Sequence, residues 1–146
     1  MRRWGTRRRK RTGPTDKYRK PRKCNDCHVC CDAPSIDSIG KPAFSKCENL
    51  NEVCCSIYPD RPIECREFRC VWLWDSEFSV ALLRPEERPD ALGVFFDIDR
   101  RGTILAREAY PGGLSKPQAR TVIARLRKRG PIDMIEYGTA RRLRVP

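Results

Sequence analysis

Nine cysteines, Cys24, Cys27, Cys30, Cys31, Cys47, Cys54, Cys55, Cys65 and Cys70, all fall between positions 24 and 70 of a 146-residue chain. That density belongs to a disulfide scaffold or a thiolate metal site, and either one can order loops that bury little apolar surface. Compartment separates the two. The N-terminal stretch MRRWGTRRRKRTGPTDKYRK holds no apolar export segment, and no apolar run in the chain is long enough to span a bilayer. The twin arginines Arg2 and Arg3 lack the apolar stretch that an export signal needs. A reducing cytosol is therefore the expected location, with no membrane partner, and there clustered thiols serve as metal ligands rather than disulfides. The odd cysteine count points the same way.

Spacing sharpens the reading. Cys24-x-x-Cys27-x-x-Cys30-Cys31 places four sulfurs in eight residues, and a two-residue gap lets one turn present two thiolates to one ion at about 2.3 Å. Adjacent Cys30 and Cys31 point in different directions, which suits two metals, or one metal and one packing role. Cys47, Cys54, Cys55, Cys65 and Cys70 would complete one or two sites. A ferredoxin-type run, C-x2-C-x2-C-x3-C-P, is not matched, because Cys31 follows Cys30 directly and Asp32 stands where proline would. Four-cysteine zinc sites are the simpler expectation, with iron or an iron–sulfur cluster as the alternative. His28, the only histidine, sits inside the first cluster and is a further candidate ligand.

The blocks CNDCHVCC, KCENL and CCSIYPDRPIECREFRC resemble the YkgJ-type cysteine-cluster family, described as a zinc- or iron-chelating domain. The likeness covers Cys24 to Trp74. It implies metal binding by Cys24, Cys27, Cys30, Cys31, Cys47, Cys55, Cys65 and Cys70, leaves Cys54 as the extra cysteine, and says little about biochemical role. Between the blocks this chain has the segment APSIDSIGKPAF where many members have a longer stretch entering a helix.

Charge is unevenly spread. Residues 1–23 hold twelve Lys or Arg against Asp16 alone, whereas residues 24–146 hold nineteen against eighteen acids. With only Trp4 and Tyr18 as sizeable apolar groups, the first segment reads as a disordered arm, suited to RNA or another polyanion or else to plain solvation. Residues 24–75 read as a cysteine-rich module of loops and turns with a short helix over Ile63–Phe68 behind Pro62, and Arg61 and Arg66 as candidate donors to thiolate sulfurs or carbonyls. Val71-Trp72-Leu73-Trp74 would pack that module onto the C-terminal half of the chain. The segment Leu83–Asp90, with two prolines and five charges, reads as a linker.

Residues 76–146 change character. Strands over Leu92–Ile98 and Thr103–Ala109 around an Asp99–Gly102 turn, a helix capped by Ser115 and running to Arg129, and a strand over Ile132–Tyr137 give a ββαβ unit. A basic cluster at Arg141, Arg142 and Arg144 comes after them. The fold class expected is α+β. Asp97 and Asp99 are a weak cation pair beside the reading of a solvated hairpin edge. A single histidine rules out a Ser–His–Asp set away from His28, and no Gly-rich phosphate loop is present, so catalysis is not expected.

Overall fold

The computed structural model describes residues 22–24, 27–68, 70–78, 82–138 and 142–144. Residues 1–21 of the basic arm, together with Arg69, Val80 and Arg141, lie outside the described residues. The fold is mixed α+β. A four-stranded sheet in the order β1-β2-β3-β4 is formed by β1 (Val94–Ile98), β2 (Ile104–Glu108), β3 (Ile132–Ile135) and β4 (Arg142–Arg144). The β1/β2 hairpin is antiparallel, β2/β3 is parallel across the helix α5 (Pro117–Arg127), and β3/β4 is antiparallel. Four shorter helices precede α5: α1 (Val29–Asp32), α2 (Ile63–Glu67), α3 (Val71–Phe78) and α4 (Pro89–Leu92).

Strand alternation sorts the core. Phe96, Ala106 and Met134 are register partners, as are Ile98, Ile104 and Ile132, and both sets share one face. On that face they pack with Ala119, Val122, Ile123 and Leu126 of α5, spaced three and four residues apart as an amphipathic helix requires. Cys70, Val71 and Trp72 belong to the same buried cluster. The cysteine-rich segment and the sheet thus share one core, joined where the sequence placed the apolar run after Cys70. On the other face of β1, Phe95 is buried and meets Phe68 edge-on with ring centroids 6.1 Å apart.

Several local expectations change. A fourth strand adds to the expected ββαβ unit, because Arg142–Arg144 pairs with β3; three residues rich in arginine carry no strand signal of their own. Ser115 does not cap α5. It ends a 3-10 turn, Gly113–Ser115, and Lys116 takes the cap position in an extended conformation without a side-chain bond. Pro117 explains this, since the residue before proline is pushed out of the helical region. Leu92 closes helix α4 rather than opening a strand, and Gly93 beyond it has φ 76°, a conformation that favours glycine.

The segment from Leu83 to Asp90 is not a linker. Leu83 is 1% exposed, the Trp72 indole donates to Pro85 O at 3.1 Å, and Glu87 is buried against Arg125 of α5. Both guanidinium ends engage that carboxylate, Nη1 to Oε1 at 2.8 Å and Nη2 to Oε2, while Arg84 N donates to Oε2 at 2.8 Å. Proline and charge disguised these anchors as a spacer. Arg22, counted with the arm, is also fixed: it donates to Trp72 O at 2.8 Å and Leu83 O at 2.9 Å, with its guanidinium 5.0 Å from the centre of the Trp72 ring.

Burial pushes the Glu87 carboxyl up, but the Arg125 hydrogen bonds, the Arg84 amide and both positive charges outweigh it and hold the group below its ordinary value. A carboxyl depressed by folding stabilises above its unfolded pKa, and that contribution is lost as pH falls through the folded one. Glu87→Gln is expected to cost about 1–3 kcal/mol at neutral pH, less than a fully buried pair because Arg125 is partly exposed. In thermal melts the gap between wild type and variant should close as pH falls below about 4. A gap constant from neutral pH down through that range would show that the charge contributes nothing.

Candidate metal centre

Each cysteine reaches the site by a local device. Cys24 O accepts Cys27 N at 2.7 Å, the turn a two-residue gap predicts, and His28 O accepts Cys31 N at 2.9 Å to start α1. Cys30 and Cys31 are successive residues of that helix, about 100° apart around its axis, so they face different neighbours. Asn51 Oδ1 accepts Val53 N at 2.9 Å and Cys54 N at 2.7 Å, a side-chain turn that brings the chain back so that Cys55 pairs with Leu50. Cys65 lies in α2, where its N donates to Pro62 O at 3.0 Å. Cys70 precedes α3, and its carbonyl accepts Leu73 N at 3.0 Å and Trp74 N at 3.1 Å.

All nine cysteines are free thiols. Together with His28 they line one cavity of about 690 Å³ whose wall also carries Tyr58, Arg61, Phe68 and Leu73. The eight expected ligands and Cys54 are thereby brought to one place, although Cys54 is the exposed member of the set while Cys27, Cys47 and Cys70 are buried. As they stand, no group of three or more Cys, His, Asp or Glu side chains among the described residues is arranged to hold a metal ion. The thiols engage one another instead. Hydrogen bonding with Cys30 holds Cys24 down at about 7, against burial and helped by Arg61 and Arg88, and the same interaction lowers Cys31. Cys30, between them, is raised. Burial pushes Cys27 and Cys65 up, and Cys70 up to about 12.

Positive charge faces the thiols. Arg61 lies over the Tyr58 ring at 3.9 Å, and its Nε is buried without a hydrogen-bond partner. Arg66 takes the carbonyl role the sequence allowed, its Nε donating to Arg61 O at 2.8 Å. Lys41 was not foreseen. Only 6% exposed, it donates to Asp32 O at 2.8 Å, Pro34 O at 2.7 Å and Pro42 O at 3.0 Å, which satisfies every ammonium proton. It thereby ties the segment after α1 into a loop and brings a buried cation close to Cys31, Cys47 and Cys65. A lysine in a Gly-Lys-Pro turn gives no sequence signal of burial.

Comparison with protein-family models, with curated proteins and with solved structures gives no match. Outside the cysteine segment, the Asp97 and Asp99 pair dissolves: Asp97 faces Arg107 at 3.5 Å, and Asp99 Oδ1 accepts Arg101 N and Thr103 N, both at 2.9 Å, to close the hairpin turn. Among the described residues no helix is long and apolar enough to cross a membrane.

Proposed function

We propose that residues 24–70 are a metal-binding module in which thiolates hold zinc, chiefly to order this part of the chain. The observation that carries the reading is the convergence of nine unpaired cysteines, from segments far apart in sequence, on one cavity. The donor set fits the ion: sulfur-rich, partly buried and opposed by cations, it is the environment in which thiolates favour zinc or iron over hard ions. The likeness to the YkgJ-type cysteine-cluster family supports the same ligands. Bound zinc would supply no redox chemistry, only crosslinks among loops whose own apolar contacts are few.

Elemental analysis with a visible spectrum, on full-length protein purified without oxygen, tests the reading. Zinc without colour is the expected result. Iron with labile sulfide and absorption near about 400 nm would replace zinc by an iron–sulfur cluster on the same cysteines and turn the role to electron transfer or sensing. Protein free of both would reject the module.

A polyanion-binding role for residues 1–23 rests on their charge, since the remaining chain is close to neutral. Deleting residues 1–21, and sparing the anchored Arg22, is expected to remove most of the salt-dependent affinity for RNA. Equal binding with and without the arm, measured across a salt series, would reject it.

A further inference from the structure

The nine cysteines do not form one undivided group. A second, much smaller void of about 10 Å³ lies beside the main cavity, bounded by Cys24, Cys27, Cys30 and Cys70 and closed by apolar side chains that include Trp72 and Phe95. That is about the space of one water-sized sphere. Cys31, Cys47, Cys55 and Cys65 line the main cavity but take no part in the wall of this void. Cys54, exposed at the tip of the Asn51 turn, belongs to neither set.

Sequence and geometry agree on the division. The two-residue gaps of Cys24, Cys27 and Cys30 build one turn-and-helix clamp that Cys70 closes from the start of α3. Cys31, the next residue of α1, is turned about 100° from Cys30 around the helix axis. It still bonds Cys30, but it lines the main cavity with Cys47, Cys55 and Cys65 and not the small void. Cations stand beside both sets. Arg61, with a buried Nε that lacks a partner, and Arg88 act on Cys24, and buried Lys41 acts near Cys31, Cys47 and Cys65. Four thiolates around one divalent ion carry net negative charge, and a cation beside each set would offset it.

We infer that the module holds two separate four-thiolate sites, one made by Cys24, Cys27, Cys30 and Cys70 and the other by Cys31, Cys47, Cys55 and Cys65, with Cys54 outside both. The inference rests on the thiolate-module reading proposed above. Closure of each site needs side-chain rotation and small loop shifts from the thiol-bonded arrangement. Adjacent Cys30 and Cys31 then belong to neighbouring ions, and their hydrogen bond marks the seam between the sites.

Cobalt(II) titration of the full-length apo protein, followed by its thiolate charge-transfer and ligand-field bands, tests this directly. Two ions per chain are expected, with both at tetrahedral all-sulfur signatures, and two resonances should appear in cadmium NMR of the wild-type chain. Cys70→Ser and Cys47→Ser should each retain one all-sulfur ion, and Cys54→Ser should retain both. One ion per chain, or a cluster that a change in either set destroys entirely, would overturn the two-site division while leaving the module reading intact. Failure of the wild type to bind cobalt, zinc, cadmium or iron would overturn the module itself. Since a serine variant can fail to fold, the wild-type stoichiometry and the count of cadmium resonances decide the division without it.

Discussion

Cys27→Ser is expected to release the metal held by its own set of thiols and to lower the melting temperature sharply, and Cys65→Ser to do the same for the other set. The size of the effect reflects what metal does for a segment of this kind. Between Cys24 and Cys70 the helices α1 and α2 are four and five residues long, too short to persist without tertiary support. Large apolar groups in the segment, Val53, Tyr58 and Ile63, lie exposed. A structural zinc supplies on the order of 10 kcal/mol in such domains, comparable with the whole stability of an ordinary one.

Because Cys70, Val71 and Trp72 lie in the same buried cluster as Phe96 and Leu126, the loss should reach the sheet. Near-ultraviolet circular dichroism of the tryptophans and the melting temperature report it. Cys54→Ser, at an exposed position, is the control and should melt like wild type. Melting temperatures of Cys27→Ser and Cys65→Ser that match wild type would show that the thiols do not hold the fold.

Gly113→Ala is the second large effect, and it arises from contact rather than from metal. A Cβ added at Gly113 would stand 1.9 Å from Gly93 O and 2.8 Å from its carbonyl carbon, so the start of β1 and the turn before α5 would have to part. Gly93 O also accepts Ala109 N at 2.9 Å, and Glu108 holds Leu114 N at 3.0 Å and Tyr137 N at 2.8 Å on its two oxygens. The backbone there has little freedom to move aside. A loss of at least about 3 kcal/mol is expected, at the upper end of overpacking costs. Gly130→Ala, where a Cβ meets nothing within 4 Å, should change stability by less than about 1 kcal/mol. Denaturant midpoints compare the two, and equal effects would show that the Gly113 contact relaxes without cost.

Much of the sheet half was legible because local signals agreed there. The apolar run Val94-Phe95-Phe96, the Asp99–Gly102 turn and the three-and-four spacing of Ala119, Val122, Ile123 and Leu126 each point to the element that forms. Misreadings came where a local rule met a tertiary partner. Ser115 lost its cap role to Lys116, which Pro117 pushes out of the helical region. The segment from Leu83 to Asp90 read as a spacer because its anchors, the Trp72 indole and the Arg125 guanidinium, are 13 and 38 residues away from the groups they hold. Strand β4 depends on the β3 edge alone.

Three properties were already present in the order of residues: nine thiols crowd one segment, Cys30 and Cys31 face different ways, and a helix-on-sheet unit lies C-terminal to them. Density, helix geometry and hydrophobic period are local, so neighbouring residues suffice to set them. The meeting of the thiols at one cavity, the choice of which are neighbours there, and the placing of Lys41 and Arg61 against them came from folding in three dimensions. Those relations join residues far apart in sequence, and burial of a charge depends on everything packed around it.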